Sequence, residues 1–248
     1  MLKKNQKYKS SVKPIRLSVN VDHIATLREA RKEKFPDPLV AALIAEQAGA
    51  CGITCHIRLD RRHIKEEDVE KLKKHISGEL NVEMCTEFVD FALKVKPHWV
   101  TLVPEREGEI TTEGGLDLKK VEKDIKKAVK KLKSAGINVS LFIEPDKEII
   151  KTAKDIGADA VELNTNTYVI SEGEKREKEI ERLKEAAKYA KSLGLRVRAG
   201  HGLTRQNLIP LLEIEEIEEV SIGFAIIADS VLSGLYEVVK EYREILRR

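Results

Sequence analysis

The sequence predicts a closed (β/α)8 TIM barrel, and three observations carry that prediction. Apolar, β-branched runs of strand length alternate with amphipathic helical stretches eight times. Gly49, Gly136, Gly157 and Gly194 each follow a helical stretch and precede a strand, where a left-handed cap favours glycine. The 248 residues, 42% of them apolar, suit one such barrel. Strands alternating with helices imply a parallel sheet covered by helices, and eight units favour closure over an open doubly wound sheet. No Gly-rich dinucleotide fingerprint follows the first strand, and no linker or composition shift marks a second domain. Residues 1–14 are expected to form a flexible, solvated arm and 15–248 a single barrel domain.

The elements follow in order. Residues 15–21 form an apolar first strand whose alternation places Ser18, Asn20 and Asp22 on one face. A Pro-punctuated loop then leads to a helix capped by Asp37, with Pro38 at its first position, ending near Ala48. Strand two is expected at 51–57, a helix at 66–76, strand three at 80–84, a helix at 87–96 stopped by Pro97, and strand four at 99–103. The stretch 104–115 has no strong period and reads as a long loop. A helix at 116–135, strand five at 138–143, a helix at 147–156 and strand six at 158–163 follow. Residues 164–171 read as a polar loop, 174–193 as a charged helix and 195–199 as strand seven. Thr204 starts a helix, 217–222 form strand eight, and 225–248 contain the last helix.

Composition excludes several functions. Charged residues make up 35%, above the usual level of about 25%, and Gln occurs only at Gln6, Gln47 and Gln206. That bias resembles proteins from hot environments. The net charge of +3 is small, and no basic block is interleaved with aromatics, which argues against nucleic acid. No apolar run reaches the length of about 18 residues that a membrane span needs. The basic N-terminal stretch has no apolar signal-peptide region. Three cysteines without a framework argue for a reducing compartment, so a cytoplasmic location is expected. Cys51 and Cys55 lie four apart in one expected strand, about 13 Å from each other, too far for a disulfide or a shared metal.

In such barrels the chemistry sits where strands end and loops begin. Strand one offers Asn20, Asp22 and His23 there. Strand two offers His56 and Arg58, with Arg61, Arg62 and His63 beyond, and strand three offers Asn81 and Glu83. Strand six offers Glu162, and strands seven and eight end in Gly200-His201-Gly202 and Gly223-Phe224. A carboxylate inside the short apolar strand around Glu83 needs a partner or a function. A structural ion pair would satisfy Glu83 or Glu162, and a solvated turn would account for Arg61 and Arg62. Several His and Glu residues at one mouth suit serial proton transfer, with burial raising the carboxyl pKa toward neutrality. Arg58 and the glycine turns suit phosphate, to which backbone N–H groups and a helix N-terminus add attraction. His56, His63 and Glu83 could be read as a metal set, but their spacing is not diagnostic and no metal is expected. No nucleophile-elbow serine and no strand-end lysine favours acyl transfer or a Schiff-base lysine.

The segments VNVDHIATLREAR, GITCHIRLDRRHI, NVEM, TTEGGLD, SLFIEPD and RAGHGLT, in this order, resemble the pyridoxine 5′-phosphate synthase family over almost the whole chain from Ile15. The resemblance implies a barrel with added helices that build oligomeric contacts, often an octamer of dimers, and no organic cofactor or metal. It implies condensation of 1-deoxy-D-xylulose 5-phosphate with 3-amino-2-oxopropyl phosphate, giving pyridoxine 5′-phosphate, phosphate and water. By residue it implies His56 and Glu83 as proton acceptors, His201 as a donor and Glu162 as a stabiliser of a transition state. Asn20, Arg31, Gly202 and Gly223 would hold the amino ketone phosphate. Asp22, His23, Arg58, His63 and Thr111 would hold the deoxyxylulose phosphate. The loop with Thr111, Gly114 and Gly115 is expected to close over them. Two departures stand out. Phe224 replaces a histidine common in the family, leaving only a backbone N–H for phosphate, and Asn164-Thr165-Asn166 replaces a common His-Thr-Gly. Two other readings remain: a different sugar-phosphate aldolase or isomerase barrel, and a non-catalytic phosphometabolite-binding barrel. The latter needs Arg58 and the glycine turns but not the His/Glu set.

Overall fold

The computed structural model describes residues 13–105 and 114–247, so most of the expected N-terminal arm lies outside the described residues. The chain runs β1 (Arg16–Asn20), α1 (Asp22–Arg31), α2 (Pro38–Gln47), β2 (Gly52–His56), α3 (Glu66–His75), β3 (Glu79–Met84), α4 (Val89–Val95) and β4 (Trp99–Leu102). It continues with α5 (Leu118–Ser134), β5 (Asn138–Ile143), α6 (Lys147–Ile156), β6 (Ala160–Asn164), α7 (Asn166–Ile170), α8 (Gly173–Ser192) and β7 (Arg196–Gly200). Then come α9 (Arg205–Leu208), β8 (Ile217–Ile222), α10 (Phe224–Ser233) and α11 (Leu235–Ile245). The eight strands pair in parallel and in sequence order, and β8 returns to β1 through Arg16↔Glu219 and Leu17↔Val220, closing the barrel.

Among the described residues three helices exceed one per strand: α1, α7 and α10 each follow a strand and precede its outer-ring helix. The first strand is shorter than expected, because Asp22 begins α1 rather than ending β1. The α1 helix has no apolar stripe to announce it, since its buried residues are Asp22, Ala25 and Arg28. The expected polar loop at 164–171 contains the five-residue α7. The single last helix is two, divided at Gly234, whose φ of 83° is incompatible with a continuous right-handed helix. Local signals hold elsewhere. Asp37 Oδ1 accepts the Leu39 N–H at 2.8 Å to cap α2. The four glycines between helices and strands all have positive φ.

Alternation divides each strand between two environments. Residues such as Leu17, Val19, Ile53, Leu80, Val82, Val100 and Leu141 are buried against the surrounding helices. Each contributes roughly 1.5–3 kcal/mol by leaving water. The other face lines the lumen, where polar side chains run from the bottom to the mouth beside Trp99 and Phe142. Ser18 and Thr54 hydroxyls meet at 2.7 Å, and Thr101 Oγ1 donates to Asn81 Oδ1 at 2.9 Å. Arg16, Glu79, Arg198 and Glu219 occupy its lower part. Among the described residues no helix is long and apolar enough to cross a membrane.

Candidate active site

The turn from β1 into α1 builds the first wall. Asn20 Oδ1 accepts the Asp22 N–H at 2.8 Å, which ends the strand and aims the helix start across the barrel mouth. Asp22 Oδ1 accepts the His56 N–H from the end of β2 at 2.7 Å. His56 and Glu83 are cross-strand partners on β2 and β3, with His56 Nδ1 3.9 Å from Glu83 Oε2. Beyond β2, Arg58 is buried with its Nε 3.7 Å from Glu105 Oε1, and Glu105 accepts the Leu59 N–H at 2.8 Å. His63 Nδ1 accepts the Ile64 N–H at 2.8 Å, leaving Nε2 to carry the proton of the neutral ring.

The His63 loop is clamped to α1. Arg28 forks onto Asp68 at 2.7 and 2.8 Å and donates to the His63 carbonyl at 3.2 Å. This buried clamp, unnoticed in the sequence because Arg28 and Asp68 lie 40 residues apart, fixes His23 and His63 on a common frame. Across the mouth, β7 ends at Gly200 and the chain turns through His201 and Gly202, with φ of 87° and 71°. A non-glycine residue in the left-handed region is strained, and such residues concentrate at functional sites. The Thr165 hydroxyl lies 2.7 Å from the Gly200 carbonyl oxygen and 2.5 Å from that of His201, holding this turn against α7. Gly223 caps α10, where an added Cβ would come 3.1 Å from that of Asn20. The Phe224 ring stands edge-on to His23, with centroids 5.3 Å apart.

These elements enclose a cavity of 580 Å³. Thirteen of the residues singled out in the sequence line it: Asn20, Asp22, His23, His56, Arg58, Arg62, His63, Glu83, Glu162, His201, Gly202, Gly223 and Phe224. Arg31 does not join them; it is exposed at the far end of α1. Thr111 lies outside the described residues. Sequence reasoning missed Thr26, Phe142 and Ser221, which also line the cavity. Ser221 could have been found by counting two residues back along β8 from Gly223.

Burial dominates the electrostatics. It pushes the Asp22 carboxyl up to about 7 against the opposing His56 N–H. It raises Glu83 well above the carboxylate range, helped by the charges of Glu162 and Asp22 and opposed by Arg198. Glu162 is raised by burial too, again opposed by Arg198. Burial lowers His56 to about 3 and His63 to about 4, with neighbouring cationic groups adding to both shifts. The imidazoles are therefore neutral near pH 7, and carboxyls beside them hold or release protons within the working range. One donor atom each from Asp22, His56 and Glu83 lies within 4.8 Å of the others. Asp22 rather than His63 completes this group, and an Asp22 oxygen already holds the His56 amide. The cluster suits proton movement between adjacent groups.

The family described as Pyridoxal phosphate biosynthesis protein PdxJ matches residues 17–248. This chain belongs to the pyridoxine 5′-phosphate synthase family. A pyridoxine 5′-phosphate synthase of Pelodictyon phaeoclathratiforme is 52% identical over 236 residues, 94% of this chain and 100% of that protein. One from a Sulfurihydrogenibium species is 53% identical over 237 residues, covering 94% of this chain and 98% of the relative. One from Thermodesulfovibrio yellowstonii is 47% identical, covering 93% and 96%. Among solved structures, a mutant tryptophan synthase α-subunit from Pyrococcus furiosus aligns with a TM-score of 0.61 at 14% identity, covering 94% of this chain and 96% of that one. The likeness is one of fold alone.

Proposed function

We propose that this protein condenses 1-deoxy-D-xylulose 5-phosphate with 3-amino-2-oxopropyl phosphate, giving pyridoxine 5′-phosphate, inorganic phosphate and two waters. The observation that carries this reading is the meeting of neutral His56 with the carboxyls of Glu83 and Glu162, whose affinity for protons burial raises, in one cavity also walled by Arg58 and two glycine turns. The amine of one substrate attacks the ketone of the other, so the imine forms between substrates and no lysine is needed. The net loss of two waters, one of them in forming that imine, the loss of one phosphate and ring closure require protons to be removed and returned at several positions. A neutral imidazole and a carboxyl of near-neutral or higher pKa suit such steps.

In this reading His56 and Glu83 accept protons, His201 donates one, and the carboxylate of Glu162 stabilises positive charge on the nitrogen-bearing intermediate. Asn20, Gly202 and Gly223 hold the amino ketone phosphate, aided by the backbone N–H of Phe224 at the α10 N-terminus. Asp22, His23, Arg58 and His63 hold the deoxyxylulose phosphate. Arg31 and Thr111 are assigned to the same two ligands by family resemblance. Residues 15–248 act as one catalytic domain, without an organic cofactor or metal. Exposed Leu27, Phe35, Val40, Val231 and Leu232 support a homo-oligomer, for which an octamer of dimers is the expected form. Unpaired Cys51, Cys55 and Cys85 support a cytoplasmic setting. The test is to incubate the protein with both substrates over a range of temperatures and follow pyridoxine 5′-phosphate. Product formation is expected; none from substrate stocks that a related synthase converts would refute the reading in favour of another sugar-phosphate enzyme or a binding protein.

A further inference from the structure

Beneath the cavity lies a buried arginine that the proposed chemistry does not use. Glu162, Arg198 and Glu219 are successive cross-strand partners on β6, β7 and β8, and all three are buried. The Arg198 guanidinium crosses the lumen to stack 4.0 Å from the Trp99 ring centroid. Its Nε lies 3.3 Å from Glu219 Oε1 without the alignment of a hydrogen bond, and neither terminal nitrogen is hydrogen-bonded within the protein. The contrast with Arg28 is direct: that arginine spends its fork on Asp68, whereas the charge of Arg198 is not consumed by a bidentate partner. Glu219 is itself shared with Arg16, whose Nε is 3.5 Å away. Removing a cation from water costs several kcal/mol unless other charges compensate it. The buried carboxyl facing Arg198 on its other side is Glu162, which bends upward over Gly200 and has an oxygen without a hydrogen bond.

We propose that Arg198 is a positioning residue, the buried counter-charge that allows Glu162 to ionise beneath the substrates. The proposal rests on the role given to Glu162 above. Arg198 touches neither cavity nor substrate; it acts through Glu162 across a medium of low dielectric, where one charge is felt over several ångströms. Other lumen charges set the balance. Glu83 on β3 faces Glu162 from above, where their like charges oppose each other, and Asp22 on α1 acts on Glu83; Glu219 on β8 opposes ionisation of Glu162 from below. Arg16 on β1 and Arg196 on β7 stand at the lower end with Glu79. Strands β4 and β5 bring no charge to the lumen, and His56 on β2 is neutral.

The experiment is a ¹³C NMR titration of side-chain-labelled glutamate in the ligand-free protein, with the Glu162 signal assigned by its loss in E162Q. Arg198→Met should raise the Glu162 titration by at least about one pH unit, and Arg198→Lys, which keeps the charge, should restore most of the difference. Glu219→Gln removes the opposing charge and should move it the other way, by about half a unit or more. The pH profile of kcat should shift in the same two directions. A general packing defect would not produce shifts of opposite sign. If Arg198→Met does not fold, Glu219→Gln decides alone. Shifts within about 0.3 unit of wild type, or both variants moving in the same direction, would overturn the proposal. Because the titration needs no turnover, it decides the role of Arg198 even if wild-type protein makes no pyridoxine 5′-phosphate.

Discussion

The two ends of the barrel lumen use the same residue types to opposite effect. At the bottom, charges are matched and partly wet: Arg16 meets Glu79 at 2.5 Å, and Glu218 accepts from Arg196 at 3.0 Å and from Lys191. Pairing there lowers the Glu79 and Glu218 carboxyls against the cost of burial. At the mouth, Asp22 and Glu162 are buried and Glu83 is partly buried, with few cations beside them, and all three are raised. A carboxylate with an arginine at hydrogen-bond distance stays ionised and serves structure. A buried one without such a partner keeps its proton available. The contrast supports the proposal that the mouth is the reactive end without appeal to any resemblance.

The comparison is broken hardest at Glu83. Glu83→Gln keeps the size and the hydrogen-bonding ability of the side chain but removes its proton affinity. Turnover should fall by at least about 100-fold while phosphate-ligand binding stays nearly intact, as loss of a general base requires. Unchanged kcat would remove Glu83 from the mechanism. A smaller effect is expected from Gly200→Ala. The backbone there is extended and accepts alanine, but the new methyl would collide with Glu162 Oε1. Glu162 must swing aside, so kcat should fall by roughly 10-fold with little change in KM, as for a group acting mainly in the transition state. Wild-type kcat with a retained melting temperature would show that the orientation of Glu162 does not matter.

Most of the mouth was legible because strand ends are where a polar residue interrupts an apolar run. His56, Glu83 and Glu162 stand out for that reason. Arg198 did not, although its strand reads RVRAG, because alternating polar residues ordinarily face water. Only closure of the sheet turns that face inward, and closure is a property of eight strands together. Helix α1 escaped for a related reason: its buried face is Asp22, Ala25 and Arg28, held by hydrogen bonds across the barrel mouth rather than by apolar burial. The α1 helix also explains Arg31. Eight residues of helix separate it from Asp22, which carries it away from the cavity.

The raised and lowered groups at the mouth also predict a stability signature. His56 stays neutral in the folded protein down to about pH 3, whereas in the unfolded chain it protonates near 6.5. Between those values the unfolded chain binds more protons, so this residue costs the folded state stability as pH falls. His56→Gln leaves the backbone N–H that Asp22 accepts and removes the titration. Between pH 7 and 5 the variant should gain about 2 kcal/mol on wild type, measured by urea unfolding at each pH. A constant difference would mean that His56 protonates in the folded protein.

The smallest effect is expected at the bottom, and it is the control that gives the others meaning. Glu79→Gln removes a half-exposed carboxylate whose ion pair with Arg16 is screened by water. Its loss should cost under about 1 kcal/mol, as such pairs usually do. Because Glu79 lies at the opposite end of the lumen from the cavity, kcat and its pH profile should stay at wild-type values. A large fall in turnover would mean that charge at the bottom reaches the mouth through the lumen. The two ends would then form one electrostatic system, with Arg198 as the middle of a chain rather than the local counter-ion of Glu162.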